Sequence, residues 1–285
     1  MGQDKQTFSL AYSPCPNDTY IFHALAHNLI DTGDMDFNIT LADVETLNQK
    51  AAAGEFDITK LSFAAFGSLR EKYALLRSGA ALGRGCGPLV ISRPGTTITG
   101  ANRPVVAIPG LGTTAYLLFR FYLEEHCGHL TPQIRTMPFD QVMPSVVRQE
   151  ADFGIIIHEG RFVYDKLGLD CLVDLGQWWE EKTALPIPLG CIAVKRSLLT
   201  ETASRIETLI KESIAHADNH PTDGIEYIKS HAQELSDGVI KEHIRLYVND
   251  FSRDIGGQGE SAVKTFLQKA ETTGLIAKSQ TPLFS

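Results

Sequence analysis

The sequence predicts an α/β protein of two similar lobes, joined by two hinge strands around a central cleft. Three observations predict it. Two strand–turn–helix segments share one plan at matched offsets. Two later segments share a second plan. Two apolar runs far apart in the chain then suit strands that cross between the halves.

The first plan appears in SLAYSPCPNDTYIFHAL, from Ser9, and again in VVAIPGLGTTAYLLFRF, from Val105. Each reads as a short strand, a Pro/Gly turn, a Thr at a helix start and an apolar helix. Ala11 to Tyr20 spans nine positions, and so does Ala107 to Tyr116. The second plan appears in AAAGEFDITKLS (Ala51 to Ser62) and RQEADFGIIIHE (Arg148 to Glu159). Both read as a helix end, an acidic turn and a strand buried on both faces. Tyr20 to Asp57 is 37 positions and Tyr116 to Asp152 is 36, so the two plans recur at nearly constant spacing.

SGAALGRGCGPLVISRPG, Ser78 to Gly95, lies between the halves. Its glycines do not fit the GxxxxGK[ST] phosphate loop, and no helix pattern follows. It reads as a turn into a crossing strand, PLVISR, with LGCIAVKR (Leu189 to Arg196) as partner. Beyond Arg196 apolar residues recur three and four apart, with helix starts near Glu201, Asp223, Asp237 and Glu260. These helices are expected to pack on the first lobe. That makes the large domain discontinuous, 1–93 plus 191–285, with a small domain at 94–190.

The 285 residues suit two medium domains, and 43% hydrophobic with 21% charged content is ordinary for globular chains. Net charge is −8 with no basic cluster, which argues against nucleic acid. No apolar run is long enough for a membrane span, and the N-terminus shows no secretory pattern. Five scattered cysteines without CxxC or zinc spacing suit reduced thiols, and the expected location is cytoplasmic.

A cleft between lobes is a favoured ligand site, and four segments are expected to reach it. The first holds Ser13, Asn17 and Asp18, with Asn17, Asp18 and Thr19 as N-cap types whose helix end suits an anion. Ordinary capping is the alternative. The second is Pro109 to Thr114. Here Gly110 and Gly112 admit close backbone approach, and Thr113 and Thr114 open a helix that suits a carboxylate or phosphate. The third is Lys60, Leu61 and Ser62, where Lys60 either neutralises an acidic ligand or is merely solvated. The fourth is His158, at the end of an apolar strand, followed by Glu159 and Arg161. A histidine there is either a proton-transfer group or a satisfied strand-end residue. Cys15, in a Pro-Cys-Pro turn, has no base paired with it by sequence. Trp178 and Trp179 either wall a pocket or pack the domain junction.

SPCPNDTYIF, DVETLN, TKLSFAAF, RSGAALGRGCGPL, GLGTTAYLL, IIHEGRFVY and HIRLYVNDFS together resemble the 1,4-dihydroxy-6-naphthoate synthases of the futalosine route to menaquinone, from about Leu10 to Gly274. The resemblance implies a two-lobed fold like the type 2 periplasmic binding proteins. It implies a lyase that converts cyclic dehypoxanthinyl futalosine to 1,4-dihydroxy-6-naphthoate and dihydroxyacetone, with no cofactor and no metal. It puts the proton-accepting histidine at His158. Substrate contacts fall around Lys60, Leu61 and Ser62 and on Thr113 and Thr114. The partner is then a small-molecule carboxylate substrate. The oligomeric state stays open, a homodimer being one option. The alternatives are a chorismate dehydratase-like enzyme and a non-catalytic small-anion binding protein of the same fold.

Overall fold

The computed structural model describes residues 5–98, 103–128, 130–232 and 236–284. The first lobe begins with β1 (Gln6–Tyr12), α1 (Pro16–Ala26), β2 (Met35–Leu41), α2 (Val44–Ala53), β3 (Ile58–Ser62), α3 (Phe63–Leu69), β4 (Tyr73–Leu75) and β5 (Ala81–Gly83). The second holds β6 (Leu89–Ser92), β7 (Val105–Ile108), α4 (Thr114–His126), β8 (Gln133–Thr136), α5 (Phe139–Val147), β9 (Phe153–Ile156), β10 (Asp170–Asp174) and α6 (Leu175–Thr183). The chain returns through β11 (Ile187–Lys195). It then forms α7 (Thr200–Asn219), α8 (Ile225–His231), α9 (Asp237–Tyr247), α10 (Asp250–Arg253) and α11 (Gly256–Thr272).

The first sheet has the order β2-β1-β3-β11-β4, with β5 also on β11. The second has the order β10-β6-β9-β7-β8. The repeat seen in the sequence is a repeat of topology. β1 runs parallel to β2 and β3, and β7 runs parallel to β8 and β9. β3 and β9 are buried along their whole length, as continuous apolar strands between covering layers must be. Each therefore delivers the residues after it to the same edge of its sheet, where open α/β sheets bind ligands.

Two local expectations change, and one unassigned stretch proves helical. The two expected hinge strands do not pair with each other. β6 pairs with strands of the second sheet and β11 with strands of the first, so the chain crosses in the segments 84–88 and 184–186. An apolar run of strand length does not reveal which sheet it joins, and the expected boundary at residue 93 falls beyond β6. The GQWWEEK stretch, left without an element by the sequence, is helix α6, capped by Asp174, which accepts from the N–H groups of Gly176 and Gln177. The C-terminal helices do not all stay on the first lobe. Phe266 of α11 meets Phe121 of α4 and Trp179 of α6 edge-on, each with ring centroids 5.7 Å apart. All three rings are buried, and each buried aromatic stabilises by roughly 1.5–3 kcal/mol. No helix among the described residues is long and apolar enough to cross a membrane.

Candidate active site

The cleft narrows to a cavity of about 80 Å³ between the two sheet edges. Its lining includes Ser13, Asn17, Asp18, Lys60 and Ser62 from the first lobe, and Thr113, Thr114 and His158 from the second. Eight of the nine residues expected at the site thus come together. Leu61 is the exception. Successive strand residues face opposite ways, so Lys60 and Ser62 share the cavity side while Leu61 packs in the core.

The first-lobe wall is an interlocked polar network. Helix α1 begins earlier than expected, with Cys15 at the N-cap and Pro16 in the first turn, where its missing N–H costs nothing. Asn17 and Asp18 therefore lie inside the first turn. Asp18 Oδ2 accepts from Ser13 Oγ (2.6 Å) and the Ser13 N–H (3.3 Å). Asp18 Oδ1 accepts from Asn17 Nδ2 (2.8 Å) and Lys60 Nζ (2.6 Å). All four residues are buried. The helix end that the sequence offered to an anion thus holds the protein's own carboxylate, and the Lys60 charge is matched by it.

The second-lobe wall is built on the start of α4. Thr113 caps it, its Oγ1 accepting from the Tyr116 N–H (3.2 Å) and donating to the Gly110 carbonyl (2.8 Å). Thr114 Oγ1 donates to the Leu189 carbonyl (2.8 Å) and accepts from the Ala64 N–H (3.2 Å). First-turn N–H groups have no acceptor within their helix, so this end, lined by Thr113, Thr114 and Ala115, suits a carboxylate.

Gly110 and Gly112 serve a different approach from the one expected. A Cβ on Gly110 would sit 2.4 Å from Cδ of Glu45, so the glycine admits α2 of the opposite lobe rather than a ligand. The Gly112 N–H donates to Glu45 Oε1 (3.3 Å). The Gly112 carbonyl accepts from Ser62 Oγ (2.5 Å) and Asn48 Nδ2 (3.3 Å). These bonds clasp the lobes.

His158 does not end the strand. β9 stops at Ile156, Ile157 is extended, and His158 opens a 3₁₀ turn with φ of +54°. Non-glycine residues rarely adopt that region, and such strain concentrates at functional positions. The side chain is half-buried and lines the cavity. Burial pushes its pKa down to about 4, with Lys60 acting in the same direction and Asp18 and Asp43 opposing. The ring is therefore neutral at pH 7. Its Nδ1 lies 3.5 Å from Cys15 Sγ, a contact between the lobes. Burial, reinforced by Glu159, pushes the Cys15 thiol well up, so it stays protonated and is no nucleophile.

The sequence reading missed two residues on α9. His243 is fully buried and stacks on His158 at 6.4 Å, with its Nε2 2.9 Å from Asn17 Oδ1. Asn17 accepts there, because its amide nitrogen donates to Asp18. Tyr247, one turn on, lines the cavity. The only sequence signal was the late HIRLYVNDFS motif, which carries part of the resemblance but had no site role attached to either residue. Other expectations resolve away from the cavity. Arg161 donates to the Gly87 carbonyl (2.5 Å) and pairs with Asp174 (2.6 Å), bracing the first crossing. Trp178 donates to His126 Nε2 (3.1 Å) and Trp179 to the Pro186 carbonyl (3.2 Å), so both pack α6.

The site thus offers a neutral imidazole and a helix N-terminus lining one cavity between the lobes, which fits acid–base chemistry on a small organic anion. The architecture is that of the periplasmic binding protein fold. A Candida albicans protein described as having that generic fold superposes with a TM-score of 0.70 at 16% identity, covering 96% of this chain and 92% of its own. The chain belongs to the menaquinone biosynthesis family, whose profile matches residues 8–272. It is 45% identical to the 1,4-dihydroxy-6-naphthoate synthase of Thermus thermophilus, over 98% of this chain and 99% of that one. It is 41% identical to the enzyme of the same name from Streptomyces coelicolor, over 95% of both chains. These relatives do not favour the dehydratase or the non-catalytic alternative.

Proposed function

We propose that this cleft converts cyclic dehypoxanthinyl futalosine to 1,4-dihydroxy-6-naphthoate and dihydroxyacetone, with His158 as general base. The observation that carries the reading is the neutral, half-buried imidazole on the cavity wall opposite the first-lobe network. The start of α4, with Thr113 and Thr114, receives the substrate carboxylate. Ser62 and the Ser13–Asn17–Asp18–Lys60 network shape the facing wall. With the lobes closed, water is excluded and the substrate is aligned. His158 takes the first proton, and the three-carbon fragment leaves by a retro-aldol-like step as the ring becomes aromatic. The five cysteines are all unpaired, as thiols of a cytoplasmic biosynthetic enzyme would be.

The test is conversion of the purified protein's substrate, followed by naphthoate absorbance, in the parent and in His158→Asn. General-base catalysis contributes roughly 10²–10⁴-fold, so the variant should lose that much of kcat. Turnover within a few fold of the parent would remove His158 from the mechanism.

A further inference from the structure

We propose that Cys15, His158 and Glu159 form a binding site for a borderline-soft divalent cation such as Zn²⁺, which locks the lobes together and silences the base. One ligand atom from each of the three lies within 4.8 Å of the others. Cys15 Sγ and His158 Nδ1 are 3.5 Å apart. Bond lengths of about 2.3 Å to sulfur and 2.0–2.1 Å to nitrogen, at a tetrahedral angle, put S and N about 3.6 Å apart. The observed separation is therefore the edge of a zinc tetrahedron, reached without moving either side chain far.

The donor set selects the ion. A thiolate and an imidazole favour Zn²⁺ or Co²⁺ over Mg²⁺ and Ca²⁺, which require oxygen ligands. The electrostatic surroundings favour a cation. Asp43 and Glu159 act on His158 or Cys15, whereas Asp18 and Lys60, which act on both, are paired with each other. Coordination replaces the Cys15 S–H bond with a sulfur–metal bond and releases that proton to solvent. Coordination through Nδ1 leaves the remaining ring proton on Nε2. His158 then has no lone pair with which to accept a proton from substrate.

Cys15 stands at the start of α1 in the first lobe, and His158 and Glu159 follow β9 in the second. A cation held by all three therefore bridges the cleft and keeps it closed. The silencing rests on the function proposed above, whereas the binding does not.

Co²⁺ is the probe, added to the full-length protein without substrate. One equivalent should bind and give a thiolate-to-cobalt charge-transfer band, which Zn²⁺ should displace. Cys15→Ser should abolish the band and weaken Co²⁺ binding at least tenfold. His158→Asn should weaken it similarly by an independent route. Cys171→Ser, which removes the exposed thiol, should leave the band intact. Absence of the band in the parent, or its survival in Cys15→Ser, overturns the site. Naphthoate formation by the parent should fall in step with Zn²⁺ occupancy and return with chelator. Binding without inhibition overturns the silencing alone. A metal-free protein that makes no naphthoate overturns the assigned function and leaves the Co²⁺ result standing.

Discussion

Lys60 Nζ lies 2.6 Å from Asp18 Oδ1, with side chains only 6% and 1% exposed. The strand that ends at the cleft and the helix that starts there are thus pinned by one ion pair. Breaking a buried pair strands a charge and costs about 3–5 kcal/mol. Lys60→Met should lose stability of that order in urea denaturation. Lys60→Met with Asp18→Asn should lose less than the two single changes added together, because the partners share one interaction. Strict additivity would show that the pair is not coupled.

The depressed pKa of His158 sets the acid limit of activity. A general base must be unprotonated, so the acid limb of kcat/KM should have its midpoint nearer 4 than 6.5. Stability follows with a definite sign. The folded pKa lies below the unfolded value, so below about pH 6.5 the unfolded chain takes up the proton more readily. Stability linked to His158 is present above 6.5 and is lost as pH falls toward 4. His158→Asn should flatten the acid loss of stability between these values, as read by melting temperature against pH.

Gly87 marks where two backbones meet. A Cβ there would sit 2.2 Å from Cα of Gly176 and 2.4 Å from its nitrogen. Neither neighbour is a flexible side chain, so Gly87→Ala must shift the crossing segment against α6. Overpacking of this kind costs about 1–3 kcal/mol. A lowered melting temperature is expected, with kcat falling as the Arg161 brace on the Gly87 carbonyl is displaced. An unchanged melting temperature would mean that the crossing yields freely.

Thr114 ties the second lobe to the first, donating to the Leu189 carbonyl and accepting from the Ala64 N–H. Thr114→Val keeps the shape and removes the hydroxyl, leaving both backbone groups short of a partner. The cost is about 1–3 kcal/mol. Because the bonds join the two lobes at the wall of the cavity, the loss should appear in KM more than in kcat, by tenfold or more. Steady-state kinetics with the parent and this variant distinguish the two.

The repeated βα units were legible because covalent sequence fixes them. Ala11 and Ala107 fall in β1 and β7, and Thr113 caps α4 as its type suggests. The same offsets brought Lys60 and His158 to facing sheet edges. What stayed hidden depends on contacts between distant segments. The match between Asp18 and Lys60 spans 42 residues, and that between Asn17 and His243 spans 226. Nothing local to Lys60 tells a solvated lysine from a buried, paired one. Likewise His243 and Tyr247 sit one turn apart on a helix whose apolar spacing reads as ordinary packing. β6 was assigned to the wrong side because burial on both faces looks alike in either sheet.

The carbonyl of Gly112 accepts from Ser62 and Asn48 together, and both donors belong to the opposite lobe. Opening must break the two bonds in one event. At about 0.5–1.5 kcal/mol each, they hold back the opening by roughly five- to 150-fold. One backbone oxygen thereby fastens the start of α4 to α2 and β3 as a single latch.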